Sequence, residues 1–233
     1  MRIIAALFAA IAALFAVPAH AQRYVTVTVT EWTEVQGVDR FVSAARDALP
    51  QGKAFGPFRV IDGGRAALVD ATDGASPRHF AAMLAAHPGI ATLEMVECPG
   101  TDDDVANLAL GRMIRARGIA THVPADGSVR SGAVELFLAG ATRRIDEGAE
   151  FAVHSWRDSD GREASDFVAD AAPNRAYIDY YREMGLSQPQ AFYAMTNAVA
   201  NDDARWLTAA EMRKWIDAKA PAIAYLDLGH SFP

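Results

Sequence analysis

The stretch Arg130-Ser131-Gly132-Ala133-Val134-Glu135-Leu136-Phe137-Leu138-Ala139-Gly140 decides how the rest of the chain is read. From Ser131 to Ala139 it is apolar at most positions, which predicts a short buried helix with a serine at its head. A predicted strand, Ile119 to Val123, leads into it through the turn Asp126-Gly127-Ser128. Downstream, Phe151-Ala152-Val153 reads as a short strand that ends on His154. Upstream, Ala91 to Glu97 reads as a strand and Cys98-Pro99-Gly100-Thr101 as the turn after it. Thr101-Asp102-Asp103-Asp104 opens a helix whose apolar face is Val105, Leu108, Met113 and Ile114, and Arg117-Gly118 ends it. Strand and helix alternating through short turns predict an α/β fold, a largely parallel sheet wrapped by helices.

Farther out the pattern changes. Phe58 to Ile61 and Ala66 to Val69 flank Gly63-Gly64 and read as a hairpin. Ser76-Pro77 predicts an N-cap followed by proline at the first helical position, opening a helix from Pro77 to His87 that Pro88-Gly89 closes. Near the N-terminus, Tyr24 to Thr30 alternates as an edge strand does, and Val38, Phe41, Val42, Ala45 and Leu49 fall at helical spacing. The C-terminal third reads as mainly helical, over Arg175 to Met184, Pro189 to Val199 and Thr208 to Lys219.

The chain opens with Met1-Arg2, an apolar run from Ile3 to Val17, and Pro18-Ala19-His20-Ala21. A charged residue, a run shorter than the roughly 20 residues that span a bilayer, and small residues at a cleavage position predict a signal peptide over 1–21. The expected product, 22–233, is a single domain in the periplasm or outside the cell, with no stable membrane insertion after cleavage. With 22 Lys and Arg against 29 Asp and Glu, the net charge of −7 repels polyanions, and no basic stripe marks a nucleic-acid partner. Cys98 is the only cysteine, which excludes an internal disulfide and leaves stability to the core.

Three segments could carry chemistry. A Gly-containing turn feeding a helix, Cys98-Pro99-Gly100-Thr101, aims backbone N–H groups and the positive end of a helix dipole at one point, as an oxyanion requires. Ser131, at a helix head, has two readings: a hydroxyl that caps the helix, or a nucleophile surrounded by N–H groups. His154, at a strand end, is either a packed ring with a satisfied hydrogen bond or a general base facing a pocket. Cys98 reads as a small buried hydrophobe, and Asp102-Asp103-Asp104 as acids complementing a helix dipole. Tyr177, Tyr180, Tyr181, Phe192 and Tyr193 either cover the core or line a groove. No Gly-x-Ser-x-Gly, His-Glu-x-x-His, paired cysteine or phosphate-loop motif occurs, so no metal or nucleotide cofactor is expected.

The order and spacing of these pieces resemble the proteolytic subunit of the Clp protease and related periplasmic proteins of the crotonase-like superfamily. Carrying the resemblance are Cys98-Pro99-Gly100-Thr101, Leu110-Gly111-Arg112-Met113-Ile114-Arg115, Ser131 to Gly140, and Ala152-Val153-His154. The steps of 32 residues from Pro99 to Ser131 and 23 from Ser131 to His154 are close to the family's intervals. The resemblance, over roughly 91–218, implies stacked ββα units and a Ser, His, Asp triad. Ser131 would be the nucleophile, His154 the base, and Asp203 the acid, with Asp202 the neighbouring choice; the oxyanion hole would be the N–H groups of Thr101 and Gly132. The implied substrate is a peptide or small acyl compound, and the family assembles into rings or trimers, which suggests a homo-oligomer. Thr101 stands where the family has a second glycine, and Arg130 where it has a small residue, free to bind an acidic substrate group or to sit in solvent. Besides an exported serine hydrolase, the readings left open are a non-catalytic binding or scaffolding protein with this fold and an enzyme of acyl thioesters.

Overall fold

A hairpin, then strand pairs alternating with helices, make up the molecule in the computed structural model, which describes residues 49–217. The first strands are β1 (Lys53–Phe55), β2 (Phe58–Val60) and β3 (Arg65–Leu68), with β2 and β3 antiparallel in the register Phe58 with Leu68. Their turn forms at the expected Gly63-Gly64 position, because the Asp62 carboxylate accepts from the N–H groups of Gly64 and Arg65, both at 2.9 Å. The predicted signal peptide, the strand over 24–30 and the helical spacing over 38–48 lie outside the described residues, as does any extension of the last helix beyond 217.

Helix α1 (Ser76–Ala86) begins one residue earlier than expected. Ser76 lies inside the helix rather than capping it, and its hydroxyl donates to Asp73 Oδ1 at 2.8 Å. The same carboxylate oxygen accepts from Ala75 N at 2.9 Å, so Asp73 organises this helix start.

Next come β4 (Thr92–Met95) and β5 (Glu97–Cys98), two strands where the sequence pattern suggests one. The chain changes sheet at Val96, whose N–H donates to Leu68 O. Helix α2 (Asp104–Ala116) comes after β5, then β6 (Ala120–Val123), β7 (Ser128–Arg130) and α3 (Ala133–Leu138), then β8 (Arg143–Ile145) and β9 (Glu150–Val153). Each repeat gives one strand to each of two sheets. The six-stranded sheet runs β1-β2-β3-β4-β6-β8, parallel from β3 onward. The four-stranded sheet runs β10-β9-β7-β5, where β10 (Arg205–Thr208) is antiparallel to β9 and the rest are parallel. These are stacked ββα units, and the expected single sheet is two. The C-terminal third is mainly helical as expected, with α4 (Ala172–Glu183), α5 (Pro189–Thr196) and α6 (Ala209–Ile216), and β10 lies between the last two. Among the described residues no helix is long and apolar enough to cross a membrane.

The Asp103 carboxylate caps α2 by accepting from Ala106 N at 2.9 Å. At 100° per residue the buried stripe of α2 is Asn107, Leu108, Leu110, Gly111 and Ile114. Val105 falls on the far side and is 82% exposed, contrary to the expected face. Helix α4 sends two tyrosines to α3: Tyr180 OH donates to Glu135 O at 2.7 Å, and Tyr181 OH to Glu135 Oε1 at 2.6 Å. Gly111 of α2 leaves room for the first, since a Cβ there would lie 1.8 Å from the Tyr180 hydroxyl oxygen.

Gly111→Ala therefore overpacks a fully buried contact and is expected to cost about 1–3 kcal/mol, read as a lower urea midpoint; unchanged stability would contradict this packing. A second expectation concerns Glu135, whose carboxyl burial pushes up to about 7 from an ordinary 4.5. Between those pH values the native state holds a proton that the unfolded chain releases, so stability falls as pH rises through that window and is flat on either side. The full effect is on the order of 3 kcal/mol. Urea unfolding from pH 4.5 to 8 is expected to show this loss in the wild type and not in Glu135→Gln; parallel curves would show that Glu135 is not the group responsible.

Candidate active site

Because β5, β7 and β9 are parallel neighbours, their C-terminal ends lie side by side, and the residues just beyond them share one edge of the sheet. These are Gly100 and Thr101 after β5, Ser131 and Gly132 after β7, and His154 after β9. The crevice outside the carboxyl ends of parallel strands is the usual place for a ligand site. The β7–β9 ladder continues one step, with Ser131 N donating to Ala152 O at 2.9 Å, and this anchors the serine backbone.

Ser131 has φ +50°, the only positive φ at a non-glycine among the described residues. Such a conformation is costly for a side chain and persists only where the surroundings impose it. Gly100, at φ +135°, packs directly against it: a Cβ on Gly100 would lie 2.9 Å from Ser131 Cβ and 3.3 Å from Oγ. Ser131 Oγ makes no hydrogen bond among the described residues, so the helix-cap reading does not describe it. Helix α3 instead has Gly132 at its N-cap, with no side-chain cap.

Thr101 does not take the glycine role that its alignment position suggests, because Gly100 carries the positive φ. Thr72 N donates to Gly100 O at 3.0 Å and Asp102 N to Thr72 O at 2.9 Å, so the Thr101 N–H between them faces away from Thr72. Thr101 packs on Gly132, where an added Cβ would lie 2.5 Å from Thr101 Cγ2. Asn107 Nδ2 donates to Gly132 O at 2.6 Å and fixes that peptide.

His154 Nδ1 lies 2.9 Å from Ser155 O and 3.1 Å from Asn201 Nδ2. Asn201 Nδ2 also donates to Ser155 O at 2.8 Å, which a carbonyl oxygen in that place could not do, so the amide orientation is set. With a proton on Nδ1 the ring donates to Ser155 O, leaving Nε2 as its acceptor. The loop is tied down by Ser155 N donating to Val199 O, and by Trp156 Nε1 donating to Tyr193 OH at 2.9 Å.

Asp203 and Asp202 are not at the Nδ1 side of the ring. Asp203 is exposed, and its carboxylate accepts from Ala204 N at 2.7 Å. Asp202, 82% exposed, pairs with Arg157 at 2.6 Å. Asn201 occupies the place that the resemblance assigned to an acid, and nothing in the Ala200-Asn201-Asp202 stretch distinguishes it by sequence. Arg130 neither sits free in solvent nor awaits an anion: it pairs with Glu97 and donates to Ser128 Oγ, which donates to the buried Glu150 at 2.7 Å. Burial raises the Cys98 thiol pKa, in keeping with a packed side chain rather than a nucleophile.

Ser131 and His154, which share no hydrogen bond, line two spaces together with Asn201. Outside is a cleft of about 430 Å³ bordered by Pro99, Arg130, Trp206 and residues 201–204. Inside is a cavity of about 100 Å³ whose walls include Thr101, Asp104, Gly132, Glu135, Tyr177 and Tyr181. Burial raises the Asp104 carboxyl above its ordinary value, the Tyr177 hydroxyl that hydrogen-bonds it draws it back, Asp103 raises it, and nearby His154 lowers it. Sequence reasoning missed Asn107, Asn201 and both cavity acids, although a glutamate inside the apolar run 131–139 was a visible signal.

No protein-family model matches the chain, and no curated protein matches it. Among solved structures it is similar to ClpP1 from Listeria monocytogenes, with 13% identity over 66% of this chain and 88% of that one, TM-score 0.47. The ClpP protease catalytic domain from Plasmodium falciparum has 14% identity over 64% and 79%, TM-score 0.45. A membrane-bound stomatin-specific protease in complex with a substrate peptide has 15% identity over 63% and 72%, TM-score 0.41.

Proposed function

We propose that this chain is an exported serine hydrolase that cleaves acyl bonds of peptide type, with Ser131 as nucleophile and His154 as general base. The observation that carries the reading is the strained Ser131, held at φ +50° against Gly100 on the edge where His154 and the Thr101 and Gly132 peptides converge. A hydroxyl held without a hydrogen bond in a strained turn is poorly explained by packing, and well explained by presentation to a substrate.

In this mechanism Ser131 Oγ attacks the scissile carbonyl as its proton passes to His154 Nε2. Charge gathers on the carbonyl oxygen, where the N–H groups of Thr101 and Gly132 receive it. The imidazolium donates its Nδ1–H to Ser155 O, with Asn201 keeping ring and carbonyl in register. The leaving group departs with the proton from Nε2, and water repeats the sequence to release the acid and free Ser131. Asn201 acts as a positioning residue by holding the Ser155 carbonyl that accepts the Nδ1–H. A neutral carbonyl stabilises the imidazolium less than a carboxylate would, so turnover slower than that of a Ser-His-Asp enzyme is expected. The outer cleft suits an extended chain. Export and removal of residues 1–21 complete the reading, and N-terminal sequencing of the exported protein is expected to begin at Gln22.

A fluorophosphonate probe is expected to label the folded protein at one site, and Ser131→Ala to abolish labelling. Undiminished labelling of that variant, or none of the wild type, would count against Ser131 as the nucleophile. His154→Ala is expected to slow labelling about 10²–10⁴-fold. For Asn201→Ala, a smaller loss confined to kcat is expected, with the acidic limb of the pH profile displaced; an unmoved profile would leave Asn201 without a positioning role.

A further inference from the structure

The inner cavity is built for one kind of group. It is lined by Ser131 and, at about 100 Å³, is smaller than the cavity of roughly 150 Å³ that takes a benzene ring, so it suits an unbranched side chain better than an aromatic one. Two carboxyl groups stand in its wall. Glu135 is 6% exposed, and Tyr181 OH is its one side-chain donor among the described residues. Asp104 comes from the first turn of α2, hydrogen-bonded by the Tyr177 hydroxyl. Trp156 and Tyr177 line the same cavity with their rings parallel within 5° and centroids 6.4 Å apart, and Tyr181 lines it as well. Arg157 is the one permanent cation in the wall, and its charge is engaged by Asp202 on the exposed side.

We propose that this cavity takes the cationic side chain, lysine- or arginine-like, of the substrate residue that acylates Ser131, with Asp104 and Glu135 as the residues that select it. The proposal rests on the hydrolase reading above, because Ser131 as nucleophile determines which substrate residue enters. Aliphatic stem and charged tip match the two kinds of lining, aromatic rings and carboxyls, and a cation near the ring faces gains attraction in addition to that of the carboxylates. An aliphatic group would displace water from two carboxyls and return nothing to them. An anionic group would meet both at close range in a poorly solvated space.

The test uses Ser131→Ala protein, which binds without turnover, and calorimetric titration with N-acetylated tripeptide amides that differ only in their last residue: lysine, norleucine or glutamate. The lysine peptide is expected to bind at least about tenfold more tightly than its norleucine counterpart, and the glutamate peptide most weakly. Adding Asp104→Asn is expected to bring the lysine-to-norleucine ratio close to one, with Glu135→Gln as a second, independent variant and thermal melts verifying that each is folded. Equal or tighter binding of norleucine, or no binding of any peptide, would overturn the proposal. The same peptides as fluorogenic amides with the wild-type protein separate this proposal from the function it rests on. Turnover without lysine preference would overturn the pocket and keep the hydrolase. Lysine-selective binding without turnover would keep the pocket and overturn the hydrolase.

Discussion

The contact between Gly100 and Ser131 is the constraint on which the rest of the site depends. Two turns, each leaving a strand of the four-stranded sheet, approach so closely that only a residue without Cβ fits on one side. Both backbones are at positive φ there, +135° for Gly100 and +50° for Ser131. For glycine this is free of steric cost, whereas for serine the surrounding fold must supply the energy. That energy comes from the parallel pairing of β5, β7 and β9 and from the apolar helix α3, whose residues Ala133 to Leu138 are all buried. The sheet holds the strand ends, the helix anchors the chain beyond Gly132, and the strain falls on the serine between them.

Around that contact the fold places groups of opposite character. On the β9 side, His154 is oriented by a backbone carbonyl, Ser155 O, which Asn201 Nδ2 also holds. On the helix side, Asp104 and Glu135 bring carboxyls into a partly desolvated cavity, where burial raises both. A carboxylate directly behind the ring would hold an imidazolium more strongly; here the carboxyls stand in the cavity wall instead. In the proposed reading, substrate selection falls to Asp104 and Glu135, and support of the imidazolium falls to Ser155 O, which Asn201 holds in place.

What was legible in the sequence was local or strongly patterned. The Gly63-Gly64 hairpin, the apolar α3 and the strand ending on His154 arise from periodicity and turn chemistry. So does the start of α6, where Thr208 and Glu211 form a capping box. The change of sheet at Val96 was not legible: Ala91 to Glu97 contains no Gly, Pro or other turn residue, and only the backbone hydrogen bonds of Val96 with Leu68 and Ser128 divide it. Val105 looked like a core position because its side chain is apolar, yet the stripe of α2 is set by Gly111 and its approach to Tyr180. Asn201 acts through a loop that meets His154 from 47 residues away, and no local pattern encodes such a meeting. Asp203 had only its place in an alignment to recommend it. Glu135 was a charged residue in an apolar helix, the kind of local conflict that marks a functional position.

The most direct measurement is a crystal structure of the protein with a peptide boronic acid. Boron is expected to be bonded to Ser131 Oγ, with one boronate oxygen between the N–H groups of Thr101 and Gly132 and another facing His154 Nε2. A boronate absent from Ser131, or bonded there with its oxygens turned away from both peptides and from His154, would contradict the account.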